Sequence, residues 1–405
     1  MKRRTCFLSI PALLCMPRFG WSAEVAAPLL TIDPQGLADT RHRLLAGDKQ
    51  LASAYAALKA RAAKALDAPL RSVVDKTMTP PSGSRNDYMS MGPYWWPNPA
   101  SANGLPYVRR DGHRNPQVAG DALDAERMQA MGRDIFELTL AHHFGADDRH
   151  AEKAVSALRH WFLEPATAMH PHLRFGQGIP GIVEGRAEGL IDTRNLWMVI
   201  DAALLLRAHG ALSEADLTAL RQWFSEFTRW MRTSPTARAE DAAENNHGTF
   251  FDMQFVNYLL FAGEEAAAKE RLSTVAARRF ARQIEPDGRM PRELARTKPF
   301  HYSAFNLEAM THLAQYGRLQ GVDLWGDERL QHAIAWLQGM ALTPAEWTKS
   351  TSTEPHPEPE KMLSTLLMAR QALGKPQPLL EPLFKQNADA VDWLLWPMPA
   401  GGESH

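Results

Sequence analysis

The feature that most restricts the fold is how little of this chain can be strand. Segment after segment repeats apolar residues at three- and four-residue intervals, and alternating patterns are nearly missing. "GLADTRHRLLAGDKQLASAYAALKARAAKAL" (36–66) reads as one long helix, and "ALDAERMQAMGRDIFELTLAHHF" (122–144) as a second. "RHAEKAVSALRHWF", "TRNLWMVIDAALLLRAHG", "SEADLTALRQWFSEFTRWM", "FDMQFVNYLLFAG", "EEAAAKERLSTVAARRFARQI", "SAFNLEAMTHLAQYGRL", "ERLQHAIAWLQGMAL", "PEKMLSTLLMARQAL" and "PLFKQNADAVDWLLW" bring the total to about eleven helices of ordinary length. Ser213 and Asp216 are spaced like a capping box, with Asp in place of the usual Glu. Helices in antiparallel succession, without a short exact repeat, suit an all-α toroid or a helical solenoid built from hairpins. Trp161, Trp223, Trp230 and Trp336 lie on apolar stripes and are read as core.

The N-terminus follows a different logic. Lys2, Arg3 and Arg4 precede a short apolar run over 6–16, and small residues follow at Ser22–Ala23 and Ala26–Ala27. This is the pattern of a secretory signal peptide over 1–27, cleaved after about Ala23 or Ala27, and too short to anchor in a membrane. A weakly helical N-terminus is the plain alternative. The expected organisation is then a single domain over 28–396 and a flexible tail over 397–405, with a periplasmic or secreted protein. Both cysteines, Cys6 and Cys15, fall inside the leader. The mature chain therefore has neither a disulfide nor thiol chemistry, and its core must hold it. Leu14 stands before Cys15, where lipidation wants a small residue. The formal net charge is -1 over 405 residues, so there is no overall pull on nucleic acid or an acidic membrane. An acidic substrate would need a local cluster of cations.

The connections divide into tight turns and five long loops, covering roughly 75–116, 164–191, 233–247, 286–300 and 342–357. Long structureless loops in a compact domain are usually functional. In an array of hairpins alternate loops fall at one end, so these loops are expected to meet in a cleft.

Their contents suggest what the cleft holds. The first carries Tyr88, Tyr94, Trp95, Trp96 and Tyr107 among Arg109, Arg110, His113 and Arg114. Aromatic faces stack on sugar rings and Arg forks pair with carboxylates. The bland alternative is a Pro-rich loop whose aromatics cover the core. The second loop is glycine-rich, lacks phosphate-loop spacing and offers Gln177, Arg186 and Arg194, with Asp192 or Thr193 as a cap for the next helix. Next comes "ENNHGTFFD", where Asn245 or Asn246 can cap a helix and His247 can serve as a base. The fourth offers Arg289, Arg292, Arg296, Lys298, His301 and Tyr302, and a Tyr flanked by cations should have a lowered pKa. There is no HExxH, Cys cluster, EF-hand spacing or GxSxG elbow, so neither a metal nor a cofactor is expected.

Amides, cations, His and Tyr outnumber carboxylates in these loops, which disfavours a glycosidase with two facing acids. They suit β-elimination from a uronic acid. There the C5 proton is removed beside a carboxylate that must be neutralised as charge develops, and an acid must protonate the departing C4 oxygen. The remaining alternatives are a toroidal glycoside hydrolase drawing on Glu184, Asp192, Glu244 or Asp252, and a non-catalytic uronate-binding protein.

"DYMSMGPYWWPNP…NGLPYVRRDG", "GLIDTRNL", "ENNHGTFFD" and "ELARTKPFHYSAFNLEAM" together resemble the alginate lyase domain superfamily of polysaccharide lyases, over roughly 50–370. The resemblance implies an incomplete (α/α) toroid with its active site in a cleft across one end. It also implies export, an acidic polysaccharide substrate and no essential metal. By position it implies that Asn246 and Arg296 neutralise the uronate carboxylate. His247 is then a base or tunes the site, and Tyr302 is the proton donor, or both donor and base. Tyr88, Tyr94, Trp95, Trp96, Arg109, Arg110, Gln177, Arg194, Lys298 and His301 are the expected substrate-binding residues. The "RFGQGIPG" and "GPYWWP" stretches look closer to a branch in which glucuronan cleavage is also expected.

Overall fold

A computed structural model describes residues 28–348, 354 and 356–399, together with the backbone alone of Lys349 and Ser350. The leader over 1–27 and the end of the expected tail lie outside the described residues.

The fold is an α/α toroid whose helices sort into two layers by how apolar their surfaces are. Asn246–Phe261 is buried at nearly every position, and Leu196–Ala208 and Pro299–Gln320 are mostly so. A helix that is apolar all round has to be interior. Asp148–Phe162 and Glu214–Thr233 instead bury one stripe and show charge to solvent, so they pack outside. Asn246–Phe261 packs against Pro299–Gln320, Glu265–Val275 and Glu214–Thr233, while Ala125–His143 packs against Asp148–Phe162, Leu196–Ala208 and Lys49–Asp67. The buried cluster runs from Leu29 to Trp396. Trp161 and Trp223 are inside it, and Trp230 and Trp336 pack against its edge.

Several expected elements are cut shorter. The helix read over 36–66 is two, Pro34–Leu45 and Lys49–Asp67. Gly47 breaks it with a φ of 78°, and the Asp48 carboxylate then caps the second helix from Gln50 N at 2.7 Å. The last helical segment likewise splits into Leu380–Gln386 and Asp392–Leu395. Only half of the Ser213 capping box forms. Asp216 N donates to Ser213 Oγ at 3.1 Å, and the Asp216 carboxylate takes the Ser213 hydroxyl and pairs with Arg159. The segment from Glu265 to Gln283 stays helical but passes through a π turn at Ala276–Phe280, which turns Arg279 inward onto Asp252.

Strand is confined to the long loops. Met89–Met91 pairs in parallel with Phe175–Gly178, and Trp95–Trp96 antiparallel with Val108–Arg109. The first of these small sheets ties the first two long loops together, and the second folds the first loop back on itself.

Candidate active site

Four of the five long loops meet in a cavity of about 720 Å³. Its walls include Tyr94, Trp95, Arg109 and Arg114 from the first, Gln177, Arg186, Glu188, Asp192 and Arg194 from the second, Glu240, Asn246 and His247 from the third, and Arg296, His301 and Tyr302 from the fourth. No described residue of the fifth lines it. Glu354 at its end accepts Phe300 N at 2.6 Å, which braces the start of the Tyr302 helix. Five arginines and two histidines face three carboxylates in that lining, so the cavity has the local positive balance that the chain as a whole lacks.

Tyr302 sits in the first turn of Pro299–Gln320, its amide bonded to Lys298 O at 3.0 Å. Its hydroxyl is 2.8 Å from that of Tyr94. Tyr94 occupies a tight turn closed by Trp95 N on Gly92 O and clamped by Arg110 N on Tyr94 O at 2.7 Å. The Arg296 guanidinium lies 3.7 Å from the centre of the Tyr302 ring and is held there by Asp111 at 3.1 Å. The expected lowering of the Tyr302 pKa is corrected by this arrangement. Burial and the Tyr94 hydroxyl push it well above the ordinary value, and Arg296 only partly opposes them. The resting side chain is a neutral phenol.

Asn245 is the helix cap, accepting His247 N at 3.2 Å. That frees Asn246, which is buried and held by a carboxylate the sequence did not point to. Glu293 accepts Asn246 N at 2.7 Å and Asn246 Nδ2 at 2.6 Å, leaving the second amide proton for another acceptor. Burial pushes the Glu293 carboxyl up, against the pull of these two donors. His247 Nδ1 lies 2.7 Å from Glu240 Oε1. Burial disfavours its imidazolium, but the Glu240 carboxylate outweighs that and raises its pKa above the usual value. Gly248 explains itself by contact, since a Cβ there would stand 2.0 Å from Ala243 O and 2.4 Å from Arg279 Nη1. The motif can pack against that arginine only with glycine at this position.

The glycine-rich loop follows the same reasoning. Gly176 and Gly189 cross so closely that a Cβ on Gly189 would lie 2.5 Å from the Gly176 carbonyl carbon. This crossing sets Gln177 at a φ of 46°, a costly conformation for a non-glycine residue. Ser90 Oγ accepts its amide at 2.7 Å, Asp192 accepts Nε2 at 3.0 Å, and Arg186 donates to Oε1 at 2.8 Å. Asp192 is thereby a hub, taking also Tyr88 Oη at 2.9 Å and Ser90 Oγ at 2.6 Å, and neither it nor Thr193 caps the next helix.

The structure brings Asn246, His247, Arg296 and Tyr302 to one cavity with Tyr94, Trp95, Arg109, Gln177, Arg194 and His301. Four other expected contacts are placed elsewhere. Tyr88 is fully buried on Asp192. Trp96 lies under the Arg110 guanidinium at 5.3 Å and donates to His113 O, so the two cover each other. Lys298 precedes the Tyr302 helix and does not line the cavity. Of the carboxylates a hydrolase would recruit, Asp252 is fully buried between Arg271 and Arg279, Glu244 pairs with Arg292 at the surface, and Glu184 is outside the lining.

A family model described as alginate lyase matches residues 72–347. A crystal structure of an alginate lyase from Bacteroides ovatus shares 34% identity, with a TM-score of 0.83, covering 92% of this chain and 100% of that one. Alginate lyase A1-III from Sphingomonas species A1 superposes at 15% identity with a TM-score of 0.53, covering 94% of this chain and 100% of that one. A variant of A1-III complexed with a tetrasaccharide gives 0.56 at 15% identity, covering 93% and 98%. These last two speak to the fold alone. A comparison with curated proteins finds no match.

Proposed function

The chain belongs to the alginate lyase family of polysaccharide lyases, and from that premise we propose that it cleaves 1,4-linked polyuronate by β-elimination, taking the polymannuronate of alginate or glucuronan. The product carries a 4,5-unsaturated uronate at its new non-reducing end. One observation carries the reading. Tyr302, paired with Tyr94 and stacked under Arg296, shares a cation-rich cavity with Asn246 and His247.

In this mechanism the uronate carboxylate is met by His247 as imidazolium, by the free amide proton of Asn246 and by Arg296. All three stabilise the second negative charge that develops as the C5–H bond breaks. In the substrate complex the Tyr302 hydroxyl first gives its proton to solvent, helped by the Arg296 cation over its ring, and the phenolate so formed takes the C5 proton. The electron pair forms the C4–C5 double bond and expels the C4 oxygen, which the same Tyr302 hydroxyl then protonates. A single residue suffices because in mannuronate and glucuronate the C5 proton and the leaving oxygen are on the same side. Guluronate needs base and acid on opposite faces, and its base would have to be His247. Glu240 raises the pKa of that ring and so opposes its use as a neutral base, which favours the first two sugars.

Ultraviolet absorbance of polymannuronate, polyguluronate and glucuronan incubated with the protein tests the proposal. A rise from the conjugated enoate is expected on polymannuronate or glucuronan. New reducing ends without absorbance, on every polymer, would overturn it. The sequence pattern over 1–27 supports a periplasmic or secreted protein. N-terminal sequencing of the exported protein should then begin near Glu24 or Pro28, and a periplasmic form retaining Met1 would contradict the assignment.

A further inference from the structure

Away from the cavity, three ligand-type side chains meet where the first two long loops run together. Asp87 immediately precedes Tyr88, and His170 and His172 flank Pro171 ahead of the strand Phe175–Gly178. Asp87 Oδ1 is 2.5 Å from His170 Nδ1 and 3.2 Å from His172 Nε2. Among the described residues this is the one His/Cys/Asp/Glu group whose ligand atoms all lie within 4.8 Å of one another.

The surroundings hold this group in place. Ser82 Oγ donates to Asp87 Oδ2 at 2.6 Å, which fixes the carboxylate with Oδ1 toward the rings. His170 N donates to Asn86 O at 3.0 Å and Asn86 Nδ2 to Ala168 O at 2.8 Å, so the two segments keep register independently of the triad. The His172 ring packs 6.3 Å from Trp230. Asp87 is buried, whereas the His170 side chain is 50% exposed.

We propose that Asp87, His170 and His172 bind one divalent transition-metal ion of the zinc type, as a clip between these two loops. Two imidazoles and a carboxylate are a zinc donor set, with a hydrogen-bonded carboxylate of the kind that orients such ligands. Tetrahedral zinc at its usual ligand distances wants donor atoms about 3.3 Å apart. His172 and Asp87 already meet that spacing at 3.2 Å. His170 has to retreat by about 0.8 Å, and its exposure leaves room for that. A water completes the coordination from the open side. The metal replaces the hydrogen bond between His170 Nδ1 and Asp87 Oδ1, and it costs a long 3.4 Å hydrogen bond from Arg174 N to His172 Nδ1, which must carry the ring proton once Nε2 is bound. The clip acts where a disulfide is impossible, because both cysteines lie within residues 1–27. It joins the approaches to the Tyr94 turn and the Gln177 strand, and it takes no part in the elimination.

The test uses tag-free protein, stripped with EDTA and titrated with zinc chloride alone. Metal analysis after gel filtration should find one zinc per chain, with the Tm raised by several degrees. His170→Ala should fold normally, since that ring is half exposed, and should lose at least about tenfold in zinc affinity together with the Tm rise. Cobalt(II) in place of zinc should give a tetrahedral absorption spectrum in the wild type and not in His170→Ala. Substoichiometric zinc in the wild type, or equal affinity in His170→Ala, would overturn the proposal.

Discussion

The Tyr302 and Tyr94 hydroxyls lie 2.8 Å apart although 208 positions separate them in the chain. One comes from a helix start and the other from a turn, so the contact depends on both long loops folding correctly. In the proposed mechanism Tyr94 is the group that positions the reacting oxygen of Tyr302 and accepts or supplies its hydrogen bond.

Tyr94→Phe should therefore lower kcat by roughly 10- to 100-fold, the loss expected when a hydrogen bond to a reacting group is removed. KM should change little, because the ring and its packing remain. Steady-state kinetics on the preferred polymer decide this, and a variant with unchanged kcat would remove Tyr94 from the mechanism.

Glu240→Gln gives a prediction whose direction separates two roles for His247. The carboxylate raises the His247 pKa, so the amide should lower it. If the imidazolium neutralises substrate, as proposed, the alkaline limb of kcat/KM moves to lower pH and activity is lost on that side. If neutral His247 were the base, the acid limb would move instead and activity would be gained at low pH. Only the first outcome agrees with the proposed mechanism.

Gly248→Ala should destabilise the fold by roughly 1–3 kcal/mol, the usual cost of overpacking, because the new methyl would overlap Ala243 O and Arg279. Thermal unfolding measures it. A variant of wild-type stability would mean that the Arg279 packing is looser than described.

Acid stability is set in part by two buried histidines. Burial lowers His312 to about 4 and His143 to about 3, with His209 adding to the effect on His143. Their neutral forms stabilise the fold above about pH 6.5, and this contribution is lost as pH falls, since the unfolded chain takes up protons that the folded one refuses until near pH 4. Below pH 6.5 the pair should contribute a slope of up to about 2.7 kcal/mol per pH unit, and His312→Gln should remove about half of it. Denaturant unfolding between pH 4 and 7 checks this. An identical slope in His312→Gln would show that the ring titrates freely.

Much of this was legible in the sequence because it rests on periodicity and on side-chain chemistry. The apolar helices were readable as core, and the five long loops as the places where polar chemistry collects. Asn246, His247, Arg296 and Tyr302, which the fold brings into one cavity, fall in short motifs. What escaped depends on contacts across distant segments. Glu240 was hidden in a stretch read as loop that forms the short helix Pro235–Asp241, and no local pattern ties it to His247. Glu293 bonds Asn246 from 47 positions further along the chain, and no local pattern ties the two. The Tyr302 pKa was misjudged because sequence displays the neighbouring cations and conceals the burial. Tyr88, Trp96, Arg110 and Lys298 share loops with cavity residues, yet Tyr88 is buried on Asp192, Trp96 and Arg110 cover each other, and Lys298 precedes the Tyr302 helix.

The central claim is that Tyr302 moves the proton in an elimination. The most direct measurement follows ultraviolet absorbance during turnover of polymannuronate and glucuronan by the wild type and by Tyr302→Phe, with binding measured separately. The enoate signal should appear with the wild type and fall by roughly 10²- to 10⁴-fold in the variant, while polymer affinity stays within a few-fold. Near-full enoate production by Tyr302→Phe would contradict the account.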